Sequence, residues 1–502
     1  MAENGLVYEI GLVPQDLGEN KGTIITAVAE MLKLTPESIE KNLNASWVKP
    51  DYFVPIKRLS LQEQDLATQV TQLNGVLSKK VESRVYPFKE ATAHLIGYIG
   101  TVTAEDLKKL EGKGYSANDV VGKKGLEMVL EDRLRGEKGA KVFIKKANDA
   151  GEVTLAEKRA IDGETVKLAI DIDVQLTAFD QLRGNAGAAA AIHPLTGETL
   201  ALVSSPSFDP NTFVLGISTG EWNRLNEDPL KPLLNRFGAT YAPGSTFKPI
   251  TAGIALENGV ITSETTVDVA GKQWQKDSSW GGYSITRVTD PGKPVNLKDA
   301  FVYSDNIYFA QAALGIGGDR FESELSKYGF GESFPFEYPL YESKISNEGL
   351  NKEILVADTG YGQGQLEMSP VHLAFSYTPL LNSGKLIKPK LILDGSETEV
   401  WKENVISPEN AQIILNDLIQ VFEDPNGTAH DAKIEGLQLA GKTGTAELKT
   451  SKDEDGKENG LFVAMNTENP RLLISMLIED VKNGSHEVTP KVKSIMESIL
   501  KK

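Results

Sequence analysis

The chain has no cysteine among its 502 residues, which excludes disulfides, thiolate metal ligands and a cysteine nucleophile. Its five histidines are scattered, without the His-Glu-x-x-His spacing of a zinc hydrolase, so neither a metal nor a cofactor is expected. No apolar run approaches the roughly 18 residues of a membrane span, and Met1-Ala-Glu-Asn-Gly5 lacks the basic and apolar regions of a signal peptide. Basic charge is in deficit as well. With a formal net charge of −17, the chain has no excess of the cations that phosphate binding needs, so no nucleic-acid partner is expected. The glycine-dense stretch Thr359-Gly-Tyr-Gly-Gln-Gly364 has the wrong spacing for a phosphate loop, and no Lys-Ser/Thr follows it.

What is present suffices for a globular protein of two to four domains: 40% of the residues are hydrophobic. Residues 1–160 mix short strands with charged helices and hold no cluster of reactive side chains, so they read as scaffold. Helices are predicted over 32–44, started by Thr35-Pro-Glu-Ser, and over 61–77, with a strand at 51–57 between them. In residues 161–502 a strand over 166–173 leads into a helix started by Asp173, and Gly187–Ile192 and Thr199–Ser204 flank the turn His193-Pro-Leu-Thr-Gly-Glu as a β-hairpin. Three antiparallel strands follow near the end, at 437–448, 461–465 and 472–478, the first two joined by a polar loop over 451–460. A C-terminal helix with Thr489 as N-cap and Pro490 at its first position then packs across them.

Within the second part, Tyr241-Ala-Pro-Gly-Ser245-Thr-Phe-Lys248 places a serine at the start of a helix whose apolar face is Phe247, Ile250, Thr251 and Ile254. Ser245 and Lys248, three residues apart, share one side of the first turn. That pairing alone is weak evidence, because Ser38/Lys41, Ser46/Lys49 and Ser498/Lys501 repeat it. Its context strengthens it. Ser304-Asp-Asn306 interrupts two helical stretches, where either Ser304 or Asn306 could cap the second, and Lys442-Thr443-Gly444-Thr445 lies on a terminal strand. A second Ser-x-Asn occurs at Ser116/Asn118, but Lys-Thr-Gly occurs once.

The ordered set Ser-x-x-Lys, Ser-x-Asn, Lys-Thr-Gly is the signature of penicillin-binding proteins and class A β-lactamases. Arg84-x-Tyr-Pro, His94-Leu-Ile-Gly-Tyr-Ile-Gly, Gly122-x-x-Gly-Leu-Glu, His193-Pro-Leu-Thr-Gly-Glu, Tyr361-Gly-Gln-Gly and Lys442-Thr-Gly-Thr-Ala-Glu extend the likeness. Together they resemble class B penicillin-binding proteins over nearly the full chain. Trp274-Gln-Lys-Asp-x-Ser-Trp-Gly-Gly-Tyr283 and Ile345-Ser-Asn are similar to the low-affinity, β-lactam-resistant branch of Gram-positive bacteria. The resemblance implies an α+β fold: a penicillin-binding, serine β-lactamase-like transpeptidase domain over 161–502, with an antiparallel sheet flanked by helices. An elongated mixed α/β pedestal of dimerisation type precedes it over 1–160.

The implied activity is D,D-transpeptidation of peptidoglycan stem peptides, with β-lactams as covalent inhibitors and other cell-wall synthesis proteins as partners. By that resemblance Ser245 is the nucleophile and Lys248 its base; Ser304 relays a proton to the leaving amine, and Asn306 holds Lys248 and the substrate amide. Lys442 with the hydroxyls of Thr443 and Thr445 binds the donor carboxylate, and Gly444 lets the substrate backbone lie against the strand. The N–H groups of Ser245 and Thr445 form the oxyanion hole. The resemblance also implies a location on the outer face of the cell membrane, anchored by a segment absent from this chain. Two rivals are a β-lactam sensor and a serine β-lactamase or D,D-carboxypeptidase. For the β-lactamase, Glu348-Gly-Leu-Asn351 falls one residue short of the deacylating Glu-x-x-Leu-Asn, and the interval from Ser304 to Lys442 is long.

Overall fold

A computed structural model describes residues 1–117, 119–146, 151–448 and 456–501. Asn118 of the spare Ser-x-Asn and residues 451–455 of the polar loop lie outside them. The chain divides into two units: Met1–Thr165 with Ser207–Leu233, and Val166–Pro206 with Leu234–Lys502. The excursion of Ser207–Leu233 into the first unit has no counterpart in the sequence reading.

The first unit is built on a three-stranded antiparallel sheet. Its central strand β1 (Glu3–Leu12) carries Ile10 and Leu12 into the core. Helix α1 (Lys21–Leu32) buries Ile24, Ile25, Val28, Ala29 and Leu32, one helical face, against them. The helix predicted over 32–44 is α2 (Pro36–Leu43), with the Thr35 hydroxyl accepting the Ser38 N–H at 3.2 Å. Strand β2 (Val54–Leu59) pairs on one side of β1. The helix expected over 61–77 stops at Val70, and the chain turns at Gly75 into β3 (Val76–Val85), which pairs with the whole length of β1. Ser78, Lys79 and Lys80 of β3 are exposed, so no alternating apolar signal marks the strand. Arg84 Nε donates to the buried carboxylate of Glu127 at 2.7 Å, which ties Arg84-x-Tyr-Pro to Gly-x-x-Gly-Leu-Glu.

In the second unit the strand expected over 166–173 is reduced to one bridge, Leu168 to Ile392. Helix α3 (Ile172–Leu182) begins early because Asp171, not Asp173, caps it, its carboxylate accepting the N–H groups of Asp173 and Val174. The predicted hairpin is β4 (Gly187–Ile192) and β5 (Thr199–Ser205). Helix α4 (Lys248–Glu257) starts immediately after a 3-10 turn over Gly244–Phe247. Helices α5 (Leu297–Val302) and α6 (Asn306–Ile316) flank Ser304, α7 (Glu353–Gly360) precedes the Tyr361 loop, and α8 (Pro408–Glu423) packs on the next strand.

The last three strands are β6 (Leu439–Leu448), β7 (Lys457–Asn466) and β8 (Leu473–Val481). With the hairpin they form one five-stranded antiparallel sheet in the order β6-β7-β8-β4-β5. Every residue of β4 is buried, so helices cover both faces there, as expected for the fold class. Strand β7 begins inside the stretch read as loop. In α9 (Thr489–Leu500) the N-cap is Val488, and the Thr489 hydroxyl donates to the Ser485 carbonyl at 2.8 Å instead. Among the described residues no helix is long and apolar enough to cross a membrane.

Candidate active site

The turn carrying Ser245 is fixed from three sides. Tyr241 pairs with Met368 through two backbone hydrogen bonds, Gly244 N–H donates to the Gly362 carbonyl at 2.8 Å, and the Tyr377 hydroxyl donates to the Thr246 carbonyl at 2.6 Å. Gly244 adopts φ +53°, and a side chain there would meet the Thr445 carbonyl at 2.6 Å. Thr246, Phe247 and Lys248 are fully buried, while Ser245 stays half-exposed. Ser245 is therefore reachable from solvent on an otherwise immobilised turn.

Lys248 Nζ lies 2.7 Å from Asn306 Oδ1, 2.8 Å from the Ser304 carbonyl and 3.1 Å from Ser304 Oγ. Lys442 Nζ reaches the same Ser304 Oγ at 2.8 Å and its neighbour's carbonyl, that of Thr443, at 3.0 Å. Two fully buried amines thus share one hydroxyl. Burial holds the Lys248 amine well below its ordinary range; the charge of Lys442 pushes it further down, and Asp305 opposes both. Burial lowers Lys442 to about 7. A neutral Lys248 has the lone pair a base needs. Its hydrogen bonds run to Ser304 and Asn306; among the described residues none joins it to Ser245 Oγ, a separation that substrate-free sites commonly show.

The link between α5 and α6 is strained and locked. Ser304 sits at φ +54°, a left-handed conformation that costs a side-chain-bearing residue about 1–3 kcal/mol. Asp305, rather than Ser304 or Asn306, caps α6, its Oδ1 accepting the Tyr308 N–H at 3.0 Å. That leaves the other two side chains free for the lysines. Asp305 Oδ2 accepts from Arg287 Nη1 at 3.0 Å, with both side chains about 1% exposed. Arg287 also donates to the carbonyls of Val269 and Gly271 and to Asp290. Next to it, the Thr286 carbonyl accepts Asn306 Nδ2–H at 2.8 Å, which fixes the amide so that its oxygen faces Lys248.

Strand β6 is the sheet edge, and its free side runs past the serine turn. A Cβ on Gly444 would stand 3.0 Å from Thr246 Cγ2 and 3.1 Å from Thr246 N, so the glycine lets the strand lie close against the serine's turn. The Thr445 hydroxyl, expected on the donor carboxylate, accepts the Ser485 N–H at 3.3 Å, and a side chain on Gly484 would collide with it. The Thr443 hydroxyl donates to Thr428 Oγ1 at 2.7 Å. Thr428, after α8, carries no local signal in the sequence beyond a turn.

The transpeptidase domain of penicillin-binding proteins matches residues 187–497, and their dimerisation domain matches residues 1–168. The chain belongs to the penicillin-binding protein transpeptidases. Both modules together are those of a class B member. It is 48% identical to penicillin-binding protein 3 of Bacillus subtilis, over 99% of this chain and 75% of that protein. It is 29% identical to the peptidoglycan D,D-transpeptidase MrdA of Escherichia coli K12, over the whole chain and 84% of the relative. In fold it resembles PBP2 of Helicobacter pylori, solved in complex with MreC, with a TM-score of 0.80, 24% identity and coverage of 100% and 95%.

Proposed function

We propose that this penicillin-binding protein is a peptidoglycan D,D-transpeptidase working through an acyl-enzyme on Ser245. The observation that carries the reading is the pair of buried lysines on one serine hydroxyl beside an accessible Ser245. Neutral Lys248 takes the Ser245 Oγ proton as the oxygen attacks the carbonyl between the two terminal D-alanines. Negative charge on the carbonyl oxygen falls on the N–H groups of Ser245 and Thr445; each such donor contributes about 2.7–4 kcal/mol of barrier lowering. Ser304 passes a proton to the leaving amine, D-alanine departs, and an amine of a neighbouring stem peptide attacks the ester by the reverse proton path. Lys442, as ammonium, and the Thr443–Thr428 hydroxyl pair hold the donor carboxylate. The Thr445 hydroxyl accepts the Ser485 N–H and keeps its own proton for the same carboxylate.

β-Lactams acylate the same serine. Slow release of the adduct is expected, because among the described residues no hydrogen bond joins the Glu348 carboxylate to Ser245, Lys248 or Ser304. The aromatic loop 274–283 favours the low-affinity branch, and a peptidoglycan substrate is met on the outer face of the cell membrane. Partners among cell-wall synthesis proteins are in keeping with the Helicobacter pylori complex. The test is a cross-linking assay with a stem pentapeptide donor and an amine acceptor. Release of D-alanine with formation of the cross-linked dimer is expected; penicillin binding without either product points to a sensor.

A further inference from the structure

The reaction above gives no part to Gln363, in the loop Tyr361-Gly-Gln-Gly364. Its side chain reaches the edge strand, where Gln363 Nε2 donates to the Thr445 carbonyl at 3.4 Å. That carbonyl lies on the free side of β6, because it also faces the serine turn: a Cβ on Gly244 would stand 2.6 Å from it. The N–H and C=O of one strand residue point to the same side. The Thr445 N–H, the oxyanion donor of the proposed reaction, therefore lies on this free edge too.

An extended peptide uses such an edge as a further strand. The residue whose carbonyl oxygen sits on the Thr445 N–H then presents its own N–H to the Thr445 carbonyl, the two-bond pairing of antiparallel strands. In the donor that residue is the penultimate D-alanine. In benzylpenicillin the 6-acylamino N–H stands in the same relation to the lactam carbonyl. The place for that N–H is already taken. A carbonyl oxygen has two lone pairs, but the serine turn closes one approach to this one and the Gln363 amide covers another.

The backbone here is fixed, and the side chain is what can yield. Gln363 N–H donates to the Asp358 carbonyl at 2.9 Å, and the Gly362 carbonyl accepts the Gly244 N–H at 2.8 Å. Gly362 adopts φ +85° and leaves no room for a side chain against the Gly244 carbonyl. The Gln363 side chain, by contrast, is half-buried, and its bond to Thr445 is about 0.4 Å longer than the usual N–H···O distance. We infer that Gln363 is a gate on the Thr445 carbonyl: its amide occupies the acceptor that the donor's backbone N–H needs, and swings away as that N–H pairs. The inference rests on the transpeptidase reading. A ligand without such an N–H binds with the gate shut.

The test compares two ligands on the full chain: benzylpenicillin, and penicillanic acid, which keeps the lactam and the carboxylate but has no 6-acylamino group. Gln363→Met keeps the length of the side chain and removes its donor; Gln363→Ala removes the arm altogether. The second-order rate of Ser245 acylation is read by intact-mass spectrometry. Both variants are expected to acylate about 3–10-fold faster with benzylpenicillin, the equivalent of one neutral hydrogen bond that no longer has to be exchanged. With penicillanic acid their rates should stay within about two-fold of wild type, inside the span of that one bond. A benzylpenicillin rate that is unchanged or lower, or an equal change for the two ligands, overturns the inference, and the glutamine then only braces the strand. If neither ligand labels Ser245 in the wild type, the transpeptidase reading has failed and the gate with it.

Discussion

Replacing Arg287 with methionine keeps most of the side-chain volume and removes the charge that faces Asp305. Asp305 Oδ1 remains bonded to the Tyr308 N–H, but Oδ2 loses its partner inside a site where both side chains are about 1% exposed. Breaking a buried pair from one side costs about 3–5 kcal/mol, and the carbonyls of Val269 and Gly271 lose their donors too. The expected result is a fall of about 1 M in the urea midpoint of the transpeptidase unit, followed by tryptophan fluorescence. Arg287→Met/Asp305→Asn removes the stranded charge and should restore at least half of the loss. A second readout separates positioning from stability. Asp305 favours the protonated form of Lys248, and Arg287 offsets that field. The single variant should therefore carry the rising limb of the acylation pH profile to higher pH. A loss under about 1 kcal/mol, a double variant as unstable as the single one, or an unmoved pH limb would refute this account of the link.

Three further outcomes follow from the same geometry. Lys442 is lowered to about 7 from an unfolded value of 10.5, so the unfolded chain binds more protons between those values. The penalty for burying Lys442 is full below pH 7 and fades as pH rises toward 10.5. Lys442→Met should accordingly abolish acylation yet raise stability at pH 7 by about 1–2 kcal/mol, with the gain vanishing near pH 10.5, read by urea titration at both pH values. Gly444→Ala drives a methyl group against Thr246 and should slow penicillin acylation about 100-fold by moving the edge strand off the serine turn. Thr428→Val removes the partner of the Thr443 hydroxyl and should raise the penicillin concentration for half-maximal acylation about 3–10-fold, the equivalent of one neutral hydrogen bond.

The candidate site is legible because each motif is local: Ser245 and Lys248 share one turn, and Ser304 and Asn306 share one link. The hairpin and the last three strands were legible as apolar runs between turns, but not their union into one sheet, which depends on β8 pairing with β4. Residues that act through distant partners left no trace. Arg287 meets Asp305 and Thr428 meets Thr443, and nothing in the immediate neighbours of Arg287 or Thr428 marks them. Strand β3 escapes because its polar residues face water.

The central claim, that Ser245 is the acylated residue of a slowly deacylating enzyme, is tested by intact-mass spectrometry after incubation with benzylpenicillin, with peptide mapping and a time course. One adduct of penicillin mass on the peptide holding Ser245, lost over hours and absent from Ser245→Ala, is the predicted result. An adduct that survives Ser245→Ala, or rapid hydrolysis of penicillin by the wild type, contradicts it.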